Sequence, residues 1–217
     1  RFEKETKWGN KLEGQLILEA GCGVGSFTVP ALETNATVVS FDISKGVETN
    51  YKLNGNNPNL LICQASILEM PFPAVFDKVF CFGVLQHTPN PRETFKCLLE
   101  KLKSNGKIAT DVYADVPLTR HHGLLRTKYF LRKWTTKKDK EKLYKAVVRY
   151  VNTVYSFCQF IQRFPGGLTL SKHMMIDNYS NRLSGMKPEY YKEYAIIEIF
   201  DMLSPEYDNP QKIETFR

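Results

Sequence analysis

The sequence predicts an α/β protein built on a doubly wound parallel sheet, and three observations carry that expectation. A short apolar run, Leu16-Ile17-Leu18-Glu19-Ala20, breaks into glycines at alternate positions, Gly21, Gly23 and Gly25, before a helix-like segment opens at Ser26-Phe27-Thr28-Val29. A second apolar run, Thr37-Val38-Val39-Ser40-Phe41, ends in Asp42, nineteen residues after Gly23. Five strand-like runs then alternate with helix-like ones as far as Tyr113, the pattern of parallel strands joined by crossover helices.

Each element has its own justification. Phe2 and Trp8 sit in a polar leader, expected as a helix or arm over the sheet. Leu16 to Leu18 is short, apolar and bounded by turn signals, as a buried parallel strand is. Strand, glycine turn and helix together bring bare backbone against a ligand, because a Cβ would forbid the positive φ angles and hold the ligand away. The spacing narrows the ligand. Ser26 stands where a dinucleotide fingerprint needs glycine, which disfavours a nicotinamide dehydrogenase, and no Gly-Lys-Ser/Thr closes a phosphate loop. Ser26 to Glu33 is expected as the first crossover helix. Asp42 lies at the distance of an acid that accepts hydrogen bonds from two ribose hydroxyls; the alternative is a cap for the helix expected over Ile43 to Leu53.

The turn Asn56-Asn57-Pro58 introduces a third strand over Asn59 to Cys63. Phe76-Asp77 opens a fourth, and Pro91 suits the first turn of the next helix. That helix is expected over Arg92 to Lys103, from Phe95, Leu98, Leu99 and Leu102 on one face, with Ser104-Asn105-Gly106 closing it. Lys107 to Tyr113 is the fifth strand.

Three stretches carry a family resemblance. Glu19-x-Gly21-x-Gly23-x-Gly25 and Phe76-Asp77 followed by Val84-Leu85-Gln86-His87-Thr88-Pro89-Asn90-Pro91 resemble motifs of the class I S-adenosylmethionine-dependent methyltransferases, and Phe200-Asp201-Met202-Leu203-Ser204-Pro205 is similar to a small-molecule subgroup of them. The resemblance covers roughly the first 113 residues and implies a Rossmann-like core with S-adenosylmethionine as cofactor. By that resemblance Glu19 and the turn of Gly21, Cys22, Gly23 and Gly25 would hold the methionine part, and Asp42 the ribose, with Ile43 beside it. Ser66 and Ile67 would meet the adenine. Ser66 replaces an acid that the family usually has there, so that contact would be uncharged. Cys81 and Phe82 would lie beside the methionyl group. His87 is the candidate general base, its alternative being a loop histidine that organises Gln86 to Pro89, and Tyr113 would face the acceptor.

The net charge of +7 belongs to one region. Between Arg120 and Arg149 eleven Lys or Arg oppose only Asp139 and Glu141, a local +9 that leaves −2 for the remainder. The expected organisation is a cofactor-binding core over residues 1–113 and a helical insertion after strand five over 114–217, within one domain. The insertion holds a long helix over Lys137 to Phe164, with Leu143, Val147, Val151, Val154, Cys158 and Ile161 at helical spacing. Pro165-Gly166-Gly167 breaks it, Ser184-Gly185 marks a turn, and Tyr190 to Met202 is a further helix. The basic segment reads either as a lid whose lysines face water or as a surface for an anionic partner: phosphate-bearing substrate, nucleic acid or lipid headgroups.

A small-molecule acceptor, methylated at oxygen or nitrogen and open to being anionic, is the expected substrate. The alternatives are an RNA or nucleotide methyltransferase using the basic insertion, and a catalytically idle binding module. Nucleic acid is not favoured, since no RNA-binding motif accompanies the lysines. His121, His122 and His173 lack further ligands at metal spacing, so no metal site is expected. The five cysteines form no Cys-x-x-Cys pair, which fits reduced thiols and a cytoplasmic setting. No apolar run approaches the ~20 residues that span a bilayer, leaving only peripheral membrane contact. The start at Arg1 and the end at Arg217 suggest an excised piece whose C-terminal antiparallel hairpin lies beyond it. Oligomeric state has no signature in the sequence.

Overall fold

The computed structural model describes residues 2–115, 124–182, 188–212 and 214. The expected turn at Ser184-Gly185 and the pair His121-His122 lie outside the described residues. The chain forms two units, one of Arg1–Asp115 with Tyr207–Arg217 and one of Val116–Glu206.

The first unit is a five-stranded sheet in which every pairing is parallel, in the order β3-β2-β1-β4-β5. The strands are β1 (Leu16–Ala20), β2 (Thr37–Asp42), β3 (Leu60–Gln64), β4 (Phe76–Cys81) and β5 (Leu102–Thr110). Helices α1 (Phe2–Thr6), α2 (Thr28–Leu32), α3 (Gly46–Asn54) and α4 (Pro91–Leu99) flank them. Period-two alternation divides the buried residues between the two faces. Leu18, Val39, Val79 and Cys81 pack on one face with Ile67, Met70 and Leu98, while Ile17, Val38, Phe80 and Phe82 pack on the other with Phe2 and Ala31. The leader takes part in this core: the Phe2 ring meets Phe80 edge-on at 5.2 Å and Trp8 at 6.1 Å.

Element types follow the sequence reading and some bounds shift. The first crossover helix is only Thr28–Leu32, because the chain after β1 winds through turns until residue 27. The fourth helix ends at Leu99 rather than Lys103. Leu102 already pairs with Phe76, and the ladder resumes at Lys78 and Lys107, so residues 103–106 bulge out opposite Asp77. Lys103 reaches back to that carboxylate at 2.8 Å, and the other Asp77 oxygen accepts from the Leu16 amide at 2.8 Å. Ser104-Asn105-Gly106 is therefore a bulge inside the fifth strand and not a helix cap. Asn90 caps α4 by accepting from the Glu93 amide, with Pro91 at its first position as expected.

The second unit is helical: α5 (Leu124–Thr135), α6 (Lys140–Ile161), α7 (Gly167–His173), α8 (Tyr179–Arg182) and α9 (Tyr191–Leu203). Leu143, Val147, Val151 and Cys158 form the buried stripe of α6, against Met175, Ile176, Tyr179, Ala195 and Ile199. The basic segment is partly structural. Arg132, 7% exposed, donates to the carbonyls of Met202 and Pro205 at 3.1 and 2.9 Å. Thr135 donates to the Leu203 carbonyl at 2.9 Å, and Lys140 to that of Ser204. Together they pair carbonyls in the last turn of α9 and just beyond it. No helix of the described residues is long and apolar enough to cross a membrane.

Candidate active site at the carboxyl edge of the sheet

Strand order reverses between β1 and β4, and open parallel sheets take ligands in the crevice beyond the strand ends at such a point. The glycine turn leaves β1 there. Gly21, Gly23 and Gly25 all have positive φ, at +79°, +51° and +95°. At Gly21 a Cβ would also stand 2.3 Å from Val84 Cγ2, so the turn after β1 packs directly on the loop after β4. Gly46 is needed for a different reason: its Cβ would meet the Gly23 backbone at 2.8 Å, where the start of α3 approaches the turn.

Asp42 closes this loop from the end of β2. One carboxylate oxygen accepts from the Gly23 amide at 2.9 Å and the other from the Ser44 amide at 2.7 Å. Asp42 is not the cap expected as one alternative: α3 starts at Gly46 behind Lys45 without a side-chain cap, and the bond from Ser44 closes a turn ahead of the helix. Two of the carboxylate's roughly four acceptor positions are used by the backbone. Beside it Ile43 is 71% exposed, an apolar side chain held in water at the strand end.

Glu19 lies 2% exposed beneath the turn. Its Oε2 accepts from both Ser40 and Thr28 hydroxyls at 2.5 Å; Asn50 donates to Thr28 at 2.9 Å, and Asn54 to Asn50 at 2.8 Å. Burial pushes its carboxyl up to about 7, against the opposing pull of the two hydroxyls, with Asp42 adding to the rise. This network of Thr28, Ser40, Asn50 and Asn54 escaped the sequence reading, because polar residues scattered over three elements converge only when the strands are assembled.

The remaining candidates fall around the same edge. Ser66 caps the short 3-10 turn Ile67–Glu69 and accepts from the Leu68 amide at 3.3 Å, while the Ile67 side chain enters the core. Cys22 and Cys81 are buried thiols; burial pushes Cys22 up to about 12 and Cys81 upward as well. The Cys81 side chain belongs to one core face, and Phe82 meets Phe27 edge-on and Phe80 at a tilt on the other. Gly83, at φ +73°, follows them, and its amide donates to Asp111 at 2.5 Å, a contact without a sequence signal.

His87 lies in the 3-10 turn Leu85–His87 after β4. Its Nδ1 is 3.1 Å from the Tyr207 carbonyl, and its ring meets Tyr113 edge-on at 5.7 Å. A carbonyl only accepts, so Nδ1 carries the proton and Nε2 is the basic nitrogen of the neutral ring. The returning chain secures this loop further: Asn209 donates its amide to the Gln86 carbonyl at 2.7 Å and its side chain to that of Thr88 at 2.8 Å. All five cysteines are free, and no group of potential metal ligands is present among the described residues.

Residues 18–110 match the family described as a methyltransferase domain. These residues, under half of the chain, are similar to a methyltransferase domain. That family uses S-adenosylmethionine as methyl donor. Over 131 residues the chain is 29% identical to the mitochondrial ubiquinone biosynthesis O-methyltransferase of Schizosaccharomyces pombe, covering 57% of this chain and 47% of that one. Over 130 residues it is 27% identical to the tRNA U34 carboxymethyltransferase of Helicobacter acinonychis, covering 54% and 50%. The chain thus spans about half the length of these curated relatives. In three dimensions it is similar to the YcgJ protein of Bacillus subtilis, with a TM-score of 0.51 at 20% identity over 60% of this chain and 58% of that one; the likeness is one of fold. The five-stranded parallel sheet and the glycine turn after its first strand are features expected from the sequence.

Proposed function

We propose that the protein transfers a methyl group from S-adenosylmethionine to oxygen or nitrogen of a small-molecule acceptor. The observation that carries this reading is Asp42, a carboxylate at the end of β2 that bonds the glycine turn and retains acceptor capacity. The residues fit the donor. Open space lies over the Cβ position of Gly23, and the exposed Ile43 offers an apolar surface beside the acid. Asp42 would hold the ribose hydroxyls, the turn of Gly21 to Gly25 over Glu19 the amino-acid end, and Ser66 with Ile67 the base. When bound, S-adenosylmethionine supplies a methyl group already activated on a sulfonium.

This chain's own part is therefore alignment, exclusion of water and, for a hydroxyl or protonated amine, removal of a proton. His87 would take that proton at Nε2, its tautomer set by the Tyr207 carbonyl, with Tyr113 against its ring orienting the acceptor. The thiols, all free, favour a reducing compartment, which we take to be the cytoplasm.

A small acceptor is favoured over RNA because no RNA-binding motif accompanies the lysines and part of the basic segment is committed within its own unit. Arg132 and Lys140 bind carbonyls, Lys145 pairs with Glu141, and Lys128 is only 3% exposed. The relatives include enzymes named for each acceptor type, so the test must separate them. Calorimetric titration with S-adenosylhomocysteine should show saturable binding that Asp42→Asn weakens. Absence of binding to a folded sample refutes the reading, and salt-sensitive RNA retention requiring Lys133 and Lys137 would transfer it to a nucleic-acid acceptor.

A further inference from the structure

The helical unit contains a cleft of about 620 Å³ between α5, α6 and α9, within the ~300–1,000 Å³ of small-molecule sites. Its walls are Leu131, Leu143, Val147, Met175, Ile199 and Leu203. The hydroxyls that border it are turned to backbone. Thr127 donates to the His173 carbonyl at 3.0 Å, Thr135 to Leu203 at 2.9 Å and Tyr150 to Met174 at 2.7 Å. What these residues present to the cleft is methyl and ring surface.

Charge lies where α5 passes into α6. Lys138, Asp139 and Lys142 border the cleft there, in or just before the first turn of the 22-residue α6. Asp139 is spent as the helix cap, its Oδ1 accepting from the Lys142 amide at 3.0 Å. Lys145 is neutralised by Glu141, and Lys140 is bound to the Ser204 carbonyl. Lys138 and Lys142 are exposed and form no ion pair with described residues. The positive end of the α6 dipole adds to the same field.

An apolar trough with two uncommitted cations at one end is complementary to one class of molecule. We propose that this cleft binds an amphipathic small molecule, an apolar chain or ring body ending in a carboxylate or phosphate. The body fills the trough between α5, α6 and α9, and the anionic end meets Lys138 and Lys142. The site is a property of the helical unit and does not rest on the methyl-transfer reading.

The test uses the full chain and sodium dodecanoate as probe, with dodecyl phosphate as the second anionic arm and dodecyltrimethylammonium as the same chain with opposite charge. Calorimetry should show saturable uptake of one anionic molecule per chain, at least about tenfold tighter than the cation. Ala146, exposed on the cleft wall, gives a plug that leaves the core stripe intact. Ala146→Trp should weaken both anions about tenfold or more, with S-adenosylhomocysteine binding unchanged from the parent chain. The surface pair Lys138→Glu/Lys142→Glu should weaken the anions similarly and erase or invert the preference over the cation, and it remains informative if the tryptophan variant folds poorly. No saturable uptake, equal affinity for both charges, or indifference to both variants overturns the proposal. So does a dimer of this chain that Ala146→Trp dissociates without any dodecanoate uptake, since a second copy would then be the occupant.

Discussion

Replacing Glu19 with glutamine should flatten the pH dependence of stability in a way that can be worked out in advance. Burial raises this carboxyl from 4.5 to about 7. A raised folded-state pKa means that the native protein binds the proton more tightly than the unfolded chain. The stabilisation is therefore complete below the unfolded pKa and is lost as pH rises through the folded one. A shift of roughly 2.5 units corresponds to about 3 kcal/mol in total, of which about 2.5 kcal/mol falls between pH 5 and pH 8. Glu19→Gln preserves shape and polarity, because Ser40 and Thr28 both donate to a single oxygen, a position the glutamine carbonyl can occupy. It removes the titration. Urea unfolding of both proteins at pH 5, 6, 7 and 8 gives the difference in stability, from which distant titrating groups cancel. The parent chain should lose about 2.5 kcal/mol relative to Glu19→Gln across that range. A difference constant to within about 0.5 kcal/mol would show that the carboxylate is not strained by burial, and the argument would fail.

Three further outcomes follow from the site. Asp42→Asn removes charge from an acceptor of hydrogen bonds worth about 1.5–3 kcal/mol, so S-adenosylhomocysteine affinity should fall roughly tenfold to a hundredfold by calorimetry. His87→Ala should lower turnover by about 10²–10⁴ while that affinity holds, and unchanged turnover would remove His87 as the base. Gly21→Ala forces a Cβ onto Val84 at positive φ and should cost about 2–4 kcal/mol in urea; adding Val84→Ala relieves the clash but leaves the backbone strain of about 1–2 kcal/mol.

The parts of the fold visible in the sequence are those written in local pattern. Leu16 to Gly25 showed a strand and a turn because apolar run and glycine spacing are contiguous, and Asp42 stood out by its interval. The end of the fourth helix was misread because Leu102 continues the helical spacing of Phe95 and Leu98, whereas pairing with Phe76 draws it into the sheet. The Glu19 network and the Gly83–Asp111 contact were invisible for the same reason: their members are brought together only by strand order. Tyr207 and Asn209 lie 120 and 121 residues from the His87 loop they hold, and no local rule links them.

That return closes the sheet unit on itself. Ala114 and Gln211 form a parallel bridge, and the Asp115 amide donates to the Gln211 carbonyl at 2.8 Å. Among the described residues, the points where the polypeptide leaves the sheet unit and comes back to it lie about one strand spacing apart. A change of length between those two posts leaves the pairings of the sheet unit intact so long as its ends still meet there.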